Sequence, residues 1–132
     1  MEVAMSAAWI APFDSLCLDD VARVGGKTAS LGELRHALPE KTLVPDGFAI
    51  TADAYRAILA VNGLREKLEA ILAATSWDDV SAARDAAAHL RRLVTDAPWP
   101  SGLLSRIRDA YRALGGGHAA SVAVRRALLQ KS

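Results

Sequence analysis

The sequence of 132 residues holds one cysteine, Cys17, so an internal disulfide is impossible and a multi-cysteine zinc site is excluded. A reducing compartment is the easier expectation. It also lacks an excess of either charge, with 16 Lys and Arg against 15 Asp and Glu. Broad binding to nucleic acid or anionic lipid needs clustered basic residues, and no such cluster occurs. No apolar stretch approaches the length of a membrane span. The opening MEVAMSAAWIAPFD carries Glu2, has no early Lys or Arg and is interrupted by Pro12, which makes it a poor signal peptide. No internal repeat or low-complexity tract is visible. The expectation is a soluble, cytoplasmic chain with neither a membrane nor a nucleic-acid partner.

What is present argues for one folded, helix-rich domain: 52% of residues are hydrophobic, many of them alanine, and 23% are charged. The first fifty residues are irregular, and two short apolar runs, AAWIAPF and GFAI, are candidate strands. Between them Leu31, Leu34 and Leu38 have helical spacing, with Pro39 as the stop. From Thr51 onward helix follows helix. Thr51 is a candidate N-cap, Tyr55, Ile58 and Leu59 share one face, and Asn62-Gly63 ends the run. Leu64, Leu68, Ile71 and Leu72 form the next stripe. Val80, Ala83, Ala87, Leu90 and Val94 form another, behind acidic residues that suit a helix start. Ser101 is expected to cap a last helix carrying Leu104, Ile107, Tyr111 and Leu114, ended by three glycines. SVAV then reads as a buried strand that could pair with GFAI. The fold class expected is α+β, with short strands at both ends of the chain and helices between them.

The stretch ARVGGKTASLGEL, residues 22–34, looks like a phosphate site. It is not a Walker A loop, because the glycine that such a loop needs five residues before Gly26 is here Val21. There is no GxGxxG either. Two readings stand. Gly25 and Gly26 let a ligand approach the backbone, and Lys27 adds a charge at the positive end of a helix. Alternatively the glycines only start a helix capped by Thr28 or Ser30, with Ser30 and Glu33 at capping-box spacing and Lys27 solvated.

Two separated motifs, DDVARVGGKTASLGEL and VPDGFAITADAYRAIL, resemble the nucleotide-binding domain of phosphoenolpyruvate synthases, in the PEP-utilising dikinase family. The likeness runs through WDDVSAARDAAAHLRRLVTDAPWPSGLLSRIRDAYRAL to ASVAVR, about Phe13 to Arg125. The resemblance implies the N-terminal part of an ATP-grasp-type fold over residues 1–125, with 126–132 as a divergent tail. It further implies that Lys27 and Arg125 contact ATP phosphates, with Mg2+ accompanying the nucleotide. The parent reaction would turn ATP, pyruvate and water into phosphoenolpyruvate, AMP and phosphate through a phosphohistidine. Pyruvate is a partner only of the full-length family.

After Arg125 the family's SSATAED loop is replaced by RALLQKS. We therefore expect a truncated or frameshifted product that is not catalytic by itself. A rifampicin phosphotransferase or pyruvate phosphate dikinase is an alternative parent. A helical remnant that binds no nucleotide and self-associates through unpaired apolar surface is an alternative of another class. His36, His89 and His118 read as surface or cap residues. The pairs Asp19-Asp20 and Asp78-Asp79 sit near helix starts and read as capping rather than metal binding.

Overall fold

A computed structural model describes residues 9–38 and 44–127. The chain divides into two compact units, Met1–Tyr55 with Ser101–Ser132, and Arg56–Pro100. Pro39 lies outside the described residues.

In the first unit, strand β1 (Ile10–Pro12) pairs antiparallel with β2 (Phe48–Ile50), placing Ala11 opposite Ala49. Backbone hydrogen bonds from Phe13 N–H to the Gly47 carbonyl (2.9 Å) and from Thr51 N–H to the Trp9 carbonyl (2.9 Å) extend the ladder at both ends. A hairpin-sized sheet is marginal alone. Here it is backed by helices, α1 (Val21–Val24) and α2 (Gly26–Ala37), which follow two 3₁₀ turns, Phe13–Ser15 and Leu18–Asp20. Ala11, Leu16, Val24 and Ala29 form the buried cluster, with Phe13, Val21 and Ala49 packed around it. Gly32 of α2 lies against Leu16 so closely that a β-carbon there would come within 2.6 Å of the Leu16 β-carbon. At Gly47 a β-carbon would meet the Phe13 ring at 2.5 Å. Both motif glycines thus serve packing.

Helix α3 (Ala52–Ala60) starts after Thr51, whose carbonyl accepts from the Ala54 and Tyr55 amides. Thr51, Ala52, Ala54 and Leu59 are the buried positions, while Tyr55 is exposed, contrary to the expected face. Helix α6 (Leu103–Leu114) returns to the first unit and touches β1, with Leu103 fully buried. The Arg106 guanidinium stands 5.8 Å from the centre of the Trp9 ring.

The second unit is a helical hairpin. Asn62 and Gly63 both take left-handed backbone angles and separate α3 from α4 (Leu64–Ala74). Helix α5 (Val80–Asp96) packs on α4. Asp79 caps α5, accepting from Ser81 N–H at 2.9 Å and Ala82 N–H at 3.2 Å, as its place at the helix start suggested. Leu64 is the one deeply buried residue of the two helices. Leu68, Ile71, Ala83, Ala87, Leu90 and Val94 are half-buried, and Val80 is exposed.

Three expectations are corrected. SVAV forms no strand: no residue from 121 to 127 is in a helix or strand, and Val124 is 93% exposed. The GFAI strand instead takes its partner from AAWIAPF, so both strands lie in the first fifty residues. A strand needs a neighbour for its amides and carbonyls, and the neighbour within reach of GFAI was already Ile10–Pro12. The caps differ too. Gly25 precedes α2 and Gly102 precedes α6, neither with a side chain to offer, and Ser101 is not the cap. Helix α6 consequently begins one residue later and buries Leu103 rather than Leu104.

Candidate functional site

The single turn α1 closes with a hydrogen bond from Gly25 N–H to the Val21 carbonyl at 2.8 Å. Gly25 then adopts φ 84° and ψ 162°, a region that is open almost only to glycine. That reversal starts α2 at Gly26, and its first helical bond runs from Ala29 N–H to the Gly25 carbonyl at 3.0 Å. Ser30 consequently falls inside the helix rather than at its cap. Glu33 is also engaged elsewhere: its carboxylate accepts from Leu18 N–H at 3.1 Å, satisfying the start of the second 3₁₀ turn. The expected capping box does not form.

The helix start is left without a capping side chain, and among the described residues its first amides find no hydrogen-bond partner. Lys27 is the second residue of α2 and is exposed. Gly26 is exposed as well, and a β-carbon there would meet nothing within 4 Å. The two adjacent glycines therefore differ in kind. Gly25 is required by the backbone, whereas Gly26 answers to no steric demand inside the protein. An open, uncapped helix start with a lysine beside it is suited to an anion.

Arg125 lies in the same compact unit, exposed in the segment that follows α6. Neither Lys27 nor Arg125 forms an ion pair or side-chain hydrogen bond among the described residues. Three glycines end α6, with Gly116 and Gly117 at positive φ. The Tyr111 hydroxyl then donates to the Ala120 carbonyl at 2.7 Å and accepts from Ala120 N–H at 3.1 Å.

Other polar groups near the motif hold the frame. Arg35, in the last turn of α2, donates from Nε to Asp14 at 2.7 Å and from a terminal nitrogen to the Val44 carbonyl at 2.8 Å. Its other terminal nitrogen is 3.7 Å from Asp46. The hydrogen bond from Arg35 holds the Asp14 carboxyl below the usual carboxylate range and raises the guanidinium in turn. His36 Nε2 is 2.6 Å from the Asp14 carbonyl, a helix-end role. Asp20 accepts from Cys17 N–H at 3.0 Å and pairs with Arg23 at 2.8 Å; the Cys17 amide, then Arg23, lowers its pKa. Asp20 and Asp79 are thus structural acids. No group of three His, Cys, Asp or Glu among the described residues is placed to hold a metal ion. A cavity of about 440 Å³ lined by Asn62, Leu64, Lys67, His89 and Arg92 belongs to the helical hairpin unit, not to the unit carrying Lys27 and Arg125.

Lys27 and Arg125 are legible in the sequence; the contacts of Arg35 and of the Tyr111 hydroxyl are not, and Glu33, expected to complete a capping box with Ser30, bonds Leu18 N–H instead. Arg35, Glu33 and the Tyr111 hydroxyl each act on a backbone or carboxylate group brought near only by folding.

Residues 21–130 match the family described as pyruvate phosphate dikinase, AMP/ATP-binding domain, and the chain belongs to that family. It is 43% identical to the phosphoenolpyruvate synthase of Neisseria meningitidis over 92% of this chain and 16% of that protein. Against the phosphoenolpyruvate synthase of Escherichia coli it is 40% identical over 86% of this chain and 14% of that protein. A probable phosphoenolpyruvate synthase of Methanocaldococcus jannaschii is 40% identical over 83% of this chain and 9% of that protein. The chain therefore spans about a sixth or less of the curated relatives it matches. No helix among the described residues is long and apolar enough to cross a membrane.

Proposed function

We propose that this chain supplies part of the ATP-binding domain of a phosphoenolpyruvate synthase and grips the triphosphate with Lys27 and Arg125. The observation that carries the proposal is the helix start at Gly26, open and uncapped beside an exposed Lys27, in a chain of the AMP/ATP-binding family. The first amides of α2 would hold phosphate oxygens. Lys27 would add a point charge, and the forked Arg125 guanidinium a bidentate contact. Charge moves onto phosphate oxygens as phosphoryl groups transfer, and fixed cations stabilise it there. The ATP-grasp assignment, the pyruvate acceptor and the cytoplasmic setting belong to the same reading. The synthase is favoured over a dikinase or rifampicin phosphotransferase because the relatives compared above carry its name. Magnesium would come with the nucleotide, but no ligand set for it is present among the described residues, so no step is assigned to it.

Calorimetric titration of the chain with ATP tests this. Lys27→Ala and Arg125→Ala should each weaken binding roughly tenfold or more, the worth of a charge-assisted hydrogen bond. Equal affinity for wild type and both variants would exclude the site.

A second reading, a helical module that self-associates, is favoured by exposed Leu72, Trp77 and Val80 in the hairpin unit. Light scattering tests it: a monomer across the concentration range would remove that reading.

A further inference from the structure

We infer that Tyr111 is a positioning residue for Arg125: its hydroxyl pins Ala120 and so sets where the arginine stands for the nucleotide. The inference rests on the proposed role of Arg125. Among the described residues no helix or strand follows α6, so the arginine cannot be placed by a sheet ladder or a helical turn. What holds the segment is the exit from α6. Gly117 N–H donates to the Arg112 carbonyl at 3.0 Å and Gly116 N–H to the Ala113 carbonyl at 3.3 Å, which turns the chain sharply at the helix end. Gly115 can carry no side chain, because a β-carbon would collide with the His118 carbonyl oxygen. The chain then passes the Tyr111 side chain, where one hydroxyl satisfies both the carbonyl (2.7 Å) and the amide (3.1 Å) of Ala120.

Those two bonds fix both backbone polar groups of one residue, as a neighbouring strand would. Tyr111 is half-buried, and its ring is fixed on the last turns of a helix, so the hydroxyl is a rigid anchor. Arg125 follows five residues later. A free chain of that length can sweep a radius of about 16 Å at full extension. With Ala120 held, that five-residue tether replaces the eight residues that follow Gly117, which shrinks the volume the side chain can search and lowers the entropy cost of bringing the guanidinium to a phosphate.

Tyr111→Phe keeps the ring and deletes the hydroxyl. In the full chain it should weaken ATP binding by about fivefold while leaving helix content by circular dichroism unchanged. Hydrogen exchange at the Ala120 amide should accelerate by a similar factor. A double-mutant cycle separates positioning from plain packing. With Arg125→Ala already present, Tyr111→Phe should no longer change the affinity for ATP. If Tyr111→Phe binds ATP as wild type does while Arg125→Ala is impaired, the positioning role is refuted and the phosphate role of Arg125 survives. An unchanged Tyr111→Phe penalty in the Arg125→Ala background also refutes positioning. If Arg125→Ala itself binds as wild type, the reading beneath both has failed.

Discussion

Gly25 and Gly26 are chemically identical neighbours, and replacing each by alanine should have opposite consequences. At Gly25 the backbone sits at φ 84°, ψ 162°, where a β-carbon clashes with the flanking peptide groups. Forcing alanine there costs about 1–3 kcal/mol, or shifts the start of α2. At Gly26 the residue is the first of a helix, and the added methyl would enter open space. Alanine there restricts the unfolded chain and stabilises by roughly 0.4–1 kcal/mol. The two variants should thus differ by about 1.4–4 kcal/mol in urea unfolding followed by circular dichroism. Their ATP affinities should not follow their stabilities. Gly26→Ala, the more stable protein, should lose affinity by about tenfold, because its methyl stands where a phosphate would approach the backbone. A Gly26→Ala protein as unstable as Gly25→Ala would refute the backbone argument. One that is stable and binds ATP like the wild type would refute the view that Gly26 is kept open for a ligand.

The remaining predictions concern the frame around the site. Gly32→Ala should cost about 1–3 kcal/mol by overpacking, since the methyl meets Leu16 backbone as well as side chain; an unchanged melting temperature would show that α2 can slide instead. The Asp14 pKa is lowered by Arg35, so the contribution of that pair is present in full above the unfolded value of 3.8 and is lost as pH falls through the lower folded value. Arg35→Gln should remove that acid-range component of the stability profile. A wild-type-like profile from pH 5 downward (roughly one to two units either side of the carboxylate range) would show the pair to be inert, as exposed pairs often are.

Helix spacing was the most legible feature of the chain, and for a physical reason. Apolar residues at three- and four-residue intervals favour a helix, and α2, α4, α5 and α6 all form, but the buried face was read only in part, since Leu34, Leu38, Leu72, Val80 and Leu104 are exposed. Local stops were equally readable. Leu38 is extended before Pro39, Asn62 and Gly63 take left-handed angles, and the triple glycine ends α6. What failed to read were features decided by contacts between distant residues. Strands of three residues carry too little pattern to name their partners, so SVAV looked as good a neighbour for GFAI as Ile10–Pro12. The caps misled because glycine caps by geometry and leaves no side-chain signature, while Thr28, Ser30 and Ser101 advertised one. The Arg35 web joins residues 14, 44 and 46, and nothing in the spacing of those residues announces it. Lys27 stood out because chemistry and position coincide there. Tyr111 did not, since its hydroxyl matters through a peptide group nine residues away.

Leu103 sits fully enclosed, on a helix that returns to touch the opening strand, while residues 56–100 build a unit of their own. A ribosome making this chain therefore finishes the hairpin before it has delivered the plug for the earlier part. Closing a floppy connection of the length between Tyr55 and Ser101 would carry a cost of about 3 kcal/mol. Helices formed early in residues 56–100 would shorten that connection, and pulse-labelled hydrogen exchange would test the order: protection of residues 9–55 before residues 56–100 would refute it.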